Sequence, residues 1–179
     1  LSVVTVNALI TEMLEQGEVQ ELGMVPSGGG RPSMQYGYCY GYRTMVIIYG
    51  HQLEGRNYIH TLVVDLKGQK LWERQGYMEE IGAESFDGCL DEVFAGFGNI
   101  GLIAFGLPGE AIDDVVTIND FSGLEGLDFL PRIREKYGVP VLFENDINAM
   151  AYGYYRKHCG MDVTSLVGIY FPRSFLPGA

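Results

Sequence analysis

The chain is short of the residues that several protein classes depend on. Across 179 residues it carries 12 Lys and Arg against 23 Asp and Glu. The resulting net charge of −11 excludes a nucleic-acid surface spread over the whole chain. Residues 1–30 contain no Lys or Arg, yet hold Glu12, Glu15, Glu18 and Glu21. Cationic contacts to phosphate supply much of DNA affinity, so any DNA-binding element here is small. Cys39, Cys89 and Cys159 stand far apart and form no C-x-x-C, which excludes a disulfide framework and a cysteine-based metal centre. His51, His60 and His158 are isolated and read as surface or supporting groups, so no metal site is expected. No apolar run reaches the roughly 18 residues of a membrane-spanning helix, and no basic segment opens the chain as in a signal peptide. A cytoplasmic protein with reduced thiols and no membrane partner is expected. The chain begins at Leu1 rather than at a methionine and stops just after an apolar stretch, so a piece of a longer protein is expected.

Core-forming residues are plentiful. The chain is 47% hydrophobic, with a mean hydropathy of +0.06, enough to bury a sizeable interior. Its 25 Gly, many of them single between apolar runs, suit the tight connections of an α/β protein. Residues 1–17 read as an amphipathic helix, with Ser2 as N-cap, Val6, Leu9, Ile10, Met13 and Leu14 at helical spacing, and Gly17 as the stop. Residues 19–22 and 34–38 read as two strands around a Gly-rich loop that carries one cation, Arg31. Helix, hairpin and basic tip form the layout of a winged helix, in which a helix enters the major groove. An ordinary helix plus hairpin fits the same pattern.

From Tyr42 the pattern changes. Residues 45–49, 58–66 and 70–78 read as strands, the last two joined by a turn at residues 66–69. A helix is expected over 86–97, a strand over 100–107, extended chain over 112–118 and a helix over 127–137. A buried strand over 141–143 runs into a polar stretch, a helix over 149–158 follows, and 165–170 reads as a last strand. This order gives an α/β fold, a mixed sheet between helices that opens with three antiparallel strands. Tyr36, Tyr38, Tyr40 and Tyr42 alternate at period two and are expected to share one sheet face.

The chemistry sits where the strand over 141–143 ends. Glu144-Asn145-Asp146 falls at its C-terminal edge and Asn148 opens the next helix, the edge at which open α/β sheets bind ligands. Asp146 can take a proton from a hydroxyl, and Asn145 can hold a neighbouring hydroxyl. Both residues would equally serve as helix caps.

Gly106-Leu107-Pro108-Gly109, Asn119 after a short hairpin, and Glu144-Asn145-Asp146-Ile147-Asn148-Ala149 together resemble the ROK family of bacterial repressors and sugar kinases. Ser2 and Thr5-Val6, with Gly28-Gly29-Gly30-Arg31-Pro32, look like the last helix and wing of its repressor members. The resemblance implies part of a winged helix over 1–38, then over 42–179 the N-terminal lobe of an actin-like ATPase (ribonuclease H-like) fold, with its C-terminal lobe lying outside. It implies a sugar or sugar phosphate bound by Asn145, Asp146, Gly109, Glu110 and Asn119. It implies operator DNA bound through Ser2, Thr5, Asn7 and Arg31, and a homo-oligomer. The family's zinc cluster would fall beyond residue 179. Kinases of this family carry an Asp-x-Gly-Gly-Thr-like loop after the first strand, whose amides cradle phosphate. Residues 48–57 contain no Asp and no Gly-Gly pair, and residues 171–179 are rich in Pro and bulky side chains. Neither ATP nor Mg²⁺ is therefore expected. A sugar-responsive repressor with a non-catalytic kinase-like domain is the reading these residues favour. A sugar kinase with Asp146 as general base, and an interaction protein that has lost both DNA and nucleotide binding, are the alternatives.

Overall fold

A computed structural model describes residues 2–26, 28–29, 32–117, 121–126, 128–160 and 162–169. The helix α1 (Val3–Glu15) starts where Ser2 Oγ accepts from Thr5 N at 3.2 Å. None of its residues is buried. The strands β1 (Val19–Val25) and β2 (Ser33–Tyr38) form a separate antiparallel sheet, with a register shift between Glu21 and Gly23. The expected helix and hairpin are thus in place. Arg31, at the tip of the expected wing, lies outside the described residues.

A 3-10 turn (Tyr40–Tyr42) leads into the lobe, which is built on a five-stranded sheet ordered β5-β4-β3-β6-β9. β3 (Thr44–Leu53), β4 (Arg56–Asp65) and β5 (Lys70–Met78) make an antiparallel meander. β6 (Ile100–Leu107) then pairs parallel with β3, and β9 (Val141–Asn145) pairs parallel with β6. Side chains alternate across the sheet as a period of two requires. Val46, Ile48, Ile59, Val63, Ile103, Phe105 and Leu107 point into the core, while Met45, Ile47 and Tyr49 lie half-buried on the other face.

α2 (Asp87–Gly96) and α3 (Phe129–Tyr137) close the core face. Phe86, Phe105 and Phe129 meet there with ring centroids 5.1–5.8 Å apart, two of the three pairs edge to face. Pro131 is the third residue of α3, where its missing N–H would have had no helical acceptor. α3 ends at Gly138, whose φ of 67° is a conformation glycine reaches without strain. Arg132 grips Asp87 across the two helices with bonds of 2.8 and 3.0 Å. That guanidinium holds the Asp87 carboxyl below its ordinary value of 3.8.

Four expectations change. Tyr40 and Tyr42 stand in the 3-10 turn, off the sheet face that Tyr36 and Tyr38 share on β2. Residues 112–118 do not form one extended run: β7 (Glu110–Ile112) and β8 (Val115–Thr117) make a hairpin. Asp113 and Asp114 turn at φ 51° and 65°, which Asp tolerates better than most residues. β3 and β4 also run further than expected, up to a two-residue turn at Glu54-Gly55. The strand expected over 165–170 is absent among the described residues, since 163–169 pairs with no strand. A strand needs a ladder partner for its backbone groups, and an apolar sequence alone does not supply one.

Candidate functional site

The parallel strands deliver the polar stretch to one edge. β6 and β9 stay in register through Gly106↔Glu144 and Leu107↔Asn145, then diverge. Asn145 ends β9 and is also the N-cap of α4 (Asp146–His158). Its Oδ1 accepts from Ile147 N at 3.0 Å and from Asn148 N at 3.1 Å. Its Nδ2 donates to Gly109 O at 3.0 Å. Gly109, at φ 123°, makes the turn between β6 and β7. Glu110, the first residue of β7, is exposed. Asp146 is the first residue of α4, and its Oδ1 accepts from Ile147 N at 2.9 Å. A carboxylate at a helix N-terminus is favoured by the helix dipole.

Asn145 Nδ2 ties Gly109, the neighbour of Glu110, to the edge at which Asp146 opens α4. Asn119 lies outside the described residues. The sequence reading gave Glu144 no role of its own and opened the helix at Asn148, whereas α4 opens two residues earlier, at Asp146. Glu144 Oε1 accepts from Asn145 N at 3.0 Å and from Asn148 Nδ2 at 3.2 Å, and so supports the cap from the solvent side. A carboxylate and an amide four residues apart across a helix start were the available signal.

The β7–β8 hairpin is fixed beside this edge from two directions. Val116 is fully buried in the core. Arg134 of α3 makes a two-pronged bond to Asp114, 3.0 Å on each side, and that guanidinium lowers the Asp114 pKa.

At the far end of β3, where a phosphate loop would stand in a kinase, the ladder continues to Leu53↔Arg56. Gln52 Nε2 donates to Asn57 Oδ1 at 3.2 Å, and Asn57 Nδ2 donates to Glu79 O at 2.9 Å. Glu54 and Gly55 turn at φ 52° and 73°. A turn with both residues at positive φ matches the twist of its flanking strands. Amides engaged in a ladder are not available to cradle an anion.

Of the residues expected to read DNA, Ser2 caps α1 and Thr5 and Asn7 lie in its first half. Ser2 Oγ and Thr5 Oγ1 share a hydrogen bond of 2.9 Å, and Asn7 O accepts from Thr11 Oγ1 at 2.9 Å. Among the described residues no three His, Cys, Asp or Glu side chains are grouped to hold a metal ion. No helix among them is long and apolar enough to cross a membrane.

Comparison with solved structures places this lobe among actin-like ROK folds. A crystal structure of a ROK family transcriptional regulator, a homologue of the E. coli MLC protein, superposes with a TM-score of 0.62 at 18% identity, covering 88% of this chain and 41% of that one. The ROK family matches residues 54–173, well over half of the chain, and the chain belongs to that family. The Xylose repressor of Bacillus subtilis (strain 168) is 28% identical over 160 residues, spanning 83% of this chain and 40% of that protein. The Putative xylose repressor of Caldicellulosiruptor sp. (strain Rt8B.4) is 31% identical over 165 residues, again reaching 40% of its length and covering 86% of this chain. The chain thus spans about two fifths of the curated relatives it matches.

Proposed function

We propose that this chain is the sensing lobe, with part of the DNA-binding module, of a sugar-responsive transcriptional regulator, a repressor of the ROK type. One juxtaposition carries the reading. Asp146 stands at the C-terminal edge of the sheet, at the start of α4, while the connection between β3 and β4 is a fully laddered hairpin with no amide cradle for phosphate. Sensing needs only a ligand that binds one arrangement of the protein better than another. Phosphoryl transfer needs positioned phosphates and metal as well. The names of the repressor relatives make D-xylose the first sugar to test.

In this reading Asp146 accepts a hydrogen bond from a sugar hydroxyl. Gly109 and Glu110 stand opposite, tied to Asp146's side through Asn145, and Asn145 and Asn119 complete the residues assigned to the sugar. Calorimetry with D-xylose and other sugars, on the protein that carries this chain at its native length, is the test. Asp146→Ala is expected to weaken binding by roughly ten- to a hundredfold, the loss of one charged hydrogen bond. If no sugar binds, or if Asp146→Ala lowers only the melting temperature, Asp146 is a helix cap and the sensor reading fails. Sugar-dependent ADP formation abolished by Asp146→Asn would establish the kinase instead.

Operator binding falls to Ser2, Thr5, Asn7 and Arg31 in the same reading. Residues 1–30 lack cations, so Arg31 carries a large share of the phosphate attraction available in residues 1–38. Arg31→Ala is expected to weaken duplex binding and to reduce its salt slope by about one. A labelled duplex that fails to bind even at low salt would favour the interaction-protein alternative.

A further inference from the structure

We infer that Val4, Asn7 and Ala8 form the base-reading face of α1 and select A·T pairs in the major groove. The two apolar side chains lie against thymine methyl groups, and the Asn7 amide bonds adenine. This rests on the operator reading above. At 3.6 residues per turn, Val6, Leu9, Ile10, Met13 and Leu14 fall on one side of α1, and Val3 continues that stripe at its open end. The stripe contains every half-buried residue of the helix, namely Ile10, Met13 and Leu14. Val4, Asn7 and Ala8 fall on the other side, spaced i, i+3 and i+4 within one turn, and all three are exposed. Val4 is 79% exposed, against 42% and 47% for Val6 and Leu9 in the stripe. Val4 is therefore out of phase with the side of α1 that packs on its own module.

The chemistry of that turn matches one kind of base pair. Thymine presents a methyl group in the major groove, which small apolar side chains contact, and an asparagine amide pairs with adenine N6 and N7. Among the described residues no hydrogen bond uses the Asn7 side-chain amide. Only its main-chain oxygen is engaged, by Thr11 Oγ1 at 2.9 Å. The hydroxyls nearby are committed: Ser2 Oγ accepts from Thr5 N at 3.2 Å and shares a hydrogen bond of 2.9 Å with Thr5 Oγ1. Ser2 and Thr5 thus hold the helix start and leave the bases to Val4, Asn7 and Ala8. Charge complementarity agrees. The first turn of α1 carries no acidic residue, so the positive end of the helix dipole is open to a polyanion. Glu12 and Glu15 lie toward the other end. The N-terminal half is also the half that meets base edges when such a helix enters the groove. With no cation on this face, Val4, Asn7 and Ala8 supply selectivity while Arg31 supplies phosphate attraction.

The test uses the protein that carries this chain at its native length. Duplexes it binds are selected from a random-sequence pool at low salt, and affinities are then read by fluorescence anisotropy. The selected sites are expected to share A·T pairs. Replacing thymine by deoxyuridine, one position at a time, removes only the methyl group. Wild type is expected to lose about fourfold in affinity at one or two positions, the worth of one buried methyl. Val4→Ala is expected to bind the thymine duplex that much more weakly, and to lose almost nothing further on deoxyuridine substitution at one of those positions. Asn7→Ala is expected to lose about ten- to a hundredfold of the preference for adenine at a neighbouring pair. Both variants are expected to keep the wild-type melting temperature and salt slope, unlike Arg31→Ala. Deoxyuridine penalties that are the same in wild type and Val4→Ala at every position overturn the assignment, as do selected sites that share no A·T pairs. A change of oligomeric state in Val4→Ala would mark the face as a contact between copies and also overturn it. A wild-type protein that selects no duplex removes the operator reading and this assignment together, an outcome visible before any variant is made.

Discussion

The two regions of this chain solve the problem of apolar surface in opposite ways. The lobe from Thr44 onward buries its large side chains: Phe86, Phe105, Leu90, Ile103 and Ile133 are all 1% exposed or less. Residues 2–38 bury almost nothing: Val3 and Val4 are 76% and 79% exposed, and Leu22 and Met24 are open on β1. Similar residue types occur in both regions, so composition does not separate them. Topology does, because a five-stranded sheet offers a face wide enough for two helices, whereas one helix beside one hairpin encloses no interior. The lobe draws its stability from packing. The N-terminal unit relies on caps and ladders.

That contrast can be broken most sharply at the aromatic centre. Phe105→Ala is expected to cost the lobe about 3–5 kcal/mol in denaturant unfolding, through lost burial and the cavity left behind. Val4→Ala on the exposed helix is expected to stay within about 0.5 kcal/mol of wild type. Similar costs for the two would dissolve the comparison. Gly123→Ala comes next: an added Cβ would press into the Ile81 carbonyl oxygen, a contact the backbone must move to relieve. A destabilisation of about 1–3 kcal/mol is expected, with helix α1 unaffected by circular dichroism.

Charge gives a smaller effect with a definite pH window. The Asp87 carboxyl is held low chiefly by Arg132, with Lys136 adding to it, and its folded pKa lies below the ordinary 3.8. Its contribution is present above that ordinary value and is lost as pH falls through the folded one. Asp87→Asn is expected to lose about 1 kcal/mol at neutral pH, the scale of a part-exposed pair. The gap to wild type should close in acid. A gap that stays constant down to strongly acidic pH would show that packing, not charge, is lost. The most local effect belongs to the N-terminal unit. Ser2→Ala removes the α1 cap and is expected to cost about 1 kcal/mol of local helix stability, read by amide exchange in α1 without change in the lobe.

Much of this architecture was legible in the sequence because local rules decided it. Ser2 marked the start of α1, Gly138 the end of α3, and alternating apolar residues marked β3 and β4. The edge at Asn145 and Asp146 was legible for the same reason, a short apolar strand followed by polar residues and a helix start. What stayed hidden depended on distant partners. The Asp113-Asp114 turn has no glycine to announce it, and Asp114 is held by Arg134, 20 residues away. The apolar stretch over 163–169 has strand composition but no pairing strand among the described residues. The commitment of Asn145 to Gly109 spans 36 residues. Spacing could place both residues at the edge, yet it could not say that the amide would face the protein more than the solvent.

The sheet order also has a consequence for how the lobe acquires its shape. In the β3–β4–β5 meander each strand pairs with its chain neighbour across a short turn, while β6 and β9 must travel past helices before finding parallel partners. Loop closure favours the nearer contacts, so the meander is expected to assemble first and serve as the template for Ile103 and Val141. The edge at Leu107 and Asn145 is then the last part of the sheet to form. Pulsed amide exchange during refolding should show Ile48 and Val63 protected before Phe105 and Phe143. The reverse order would place the folding nucleus in the parallel half.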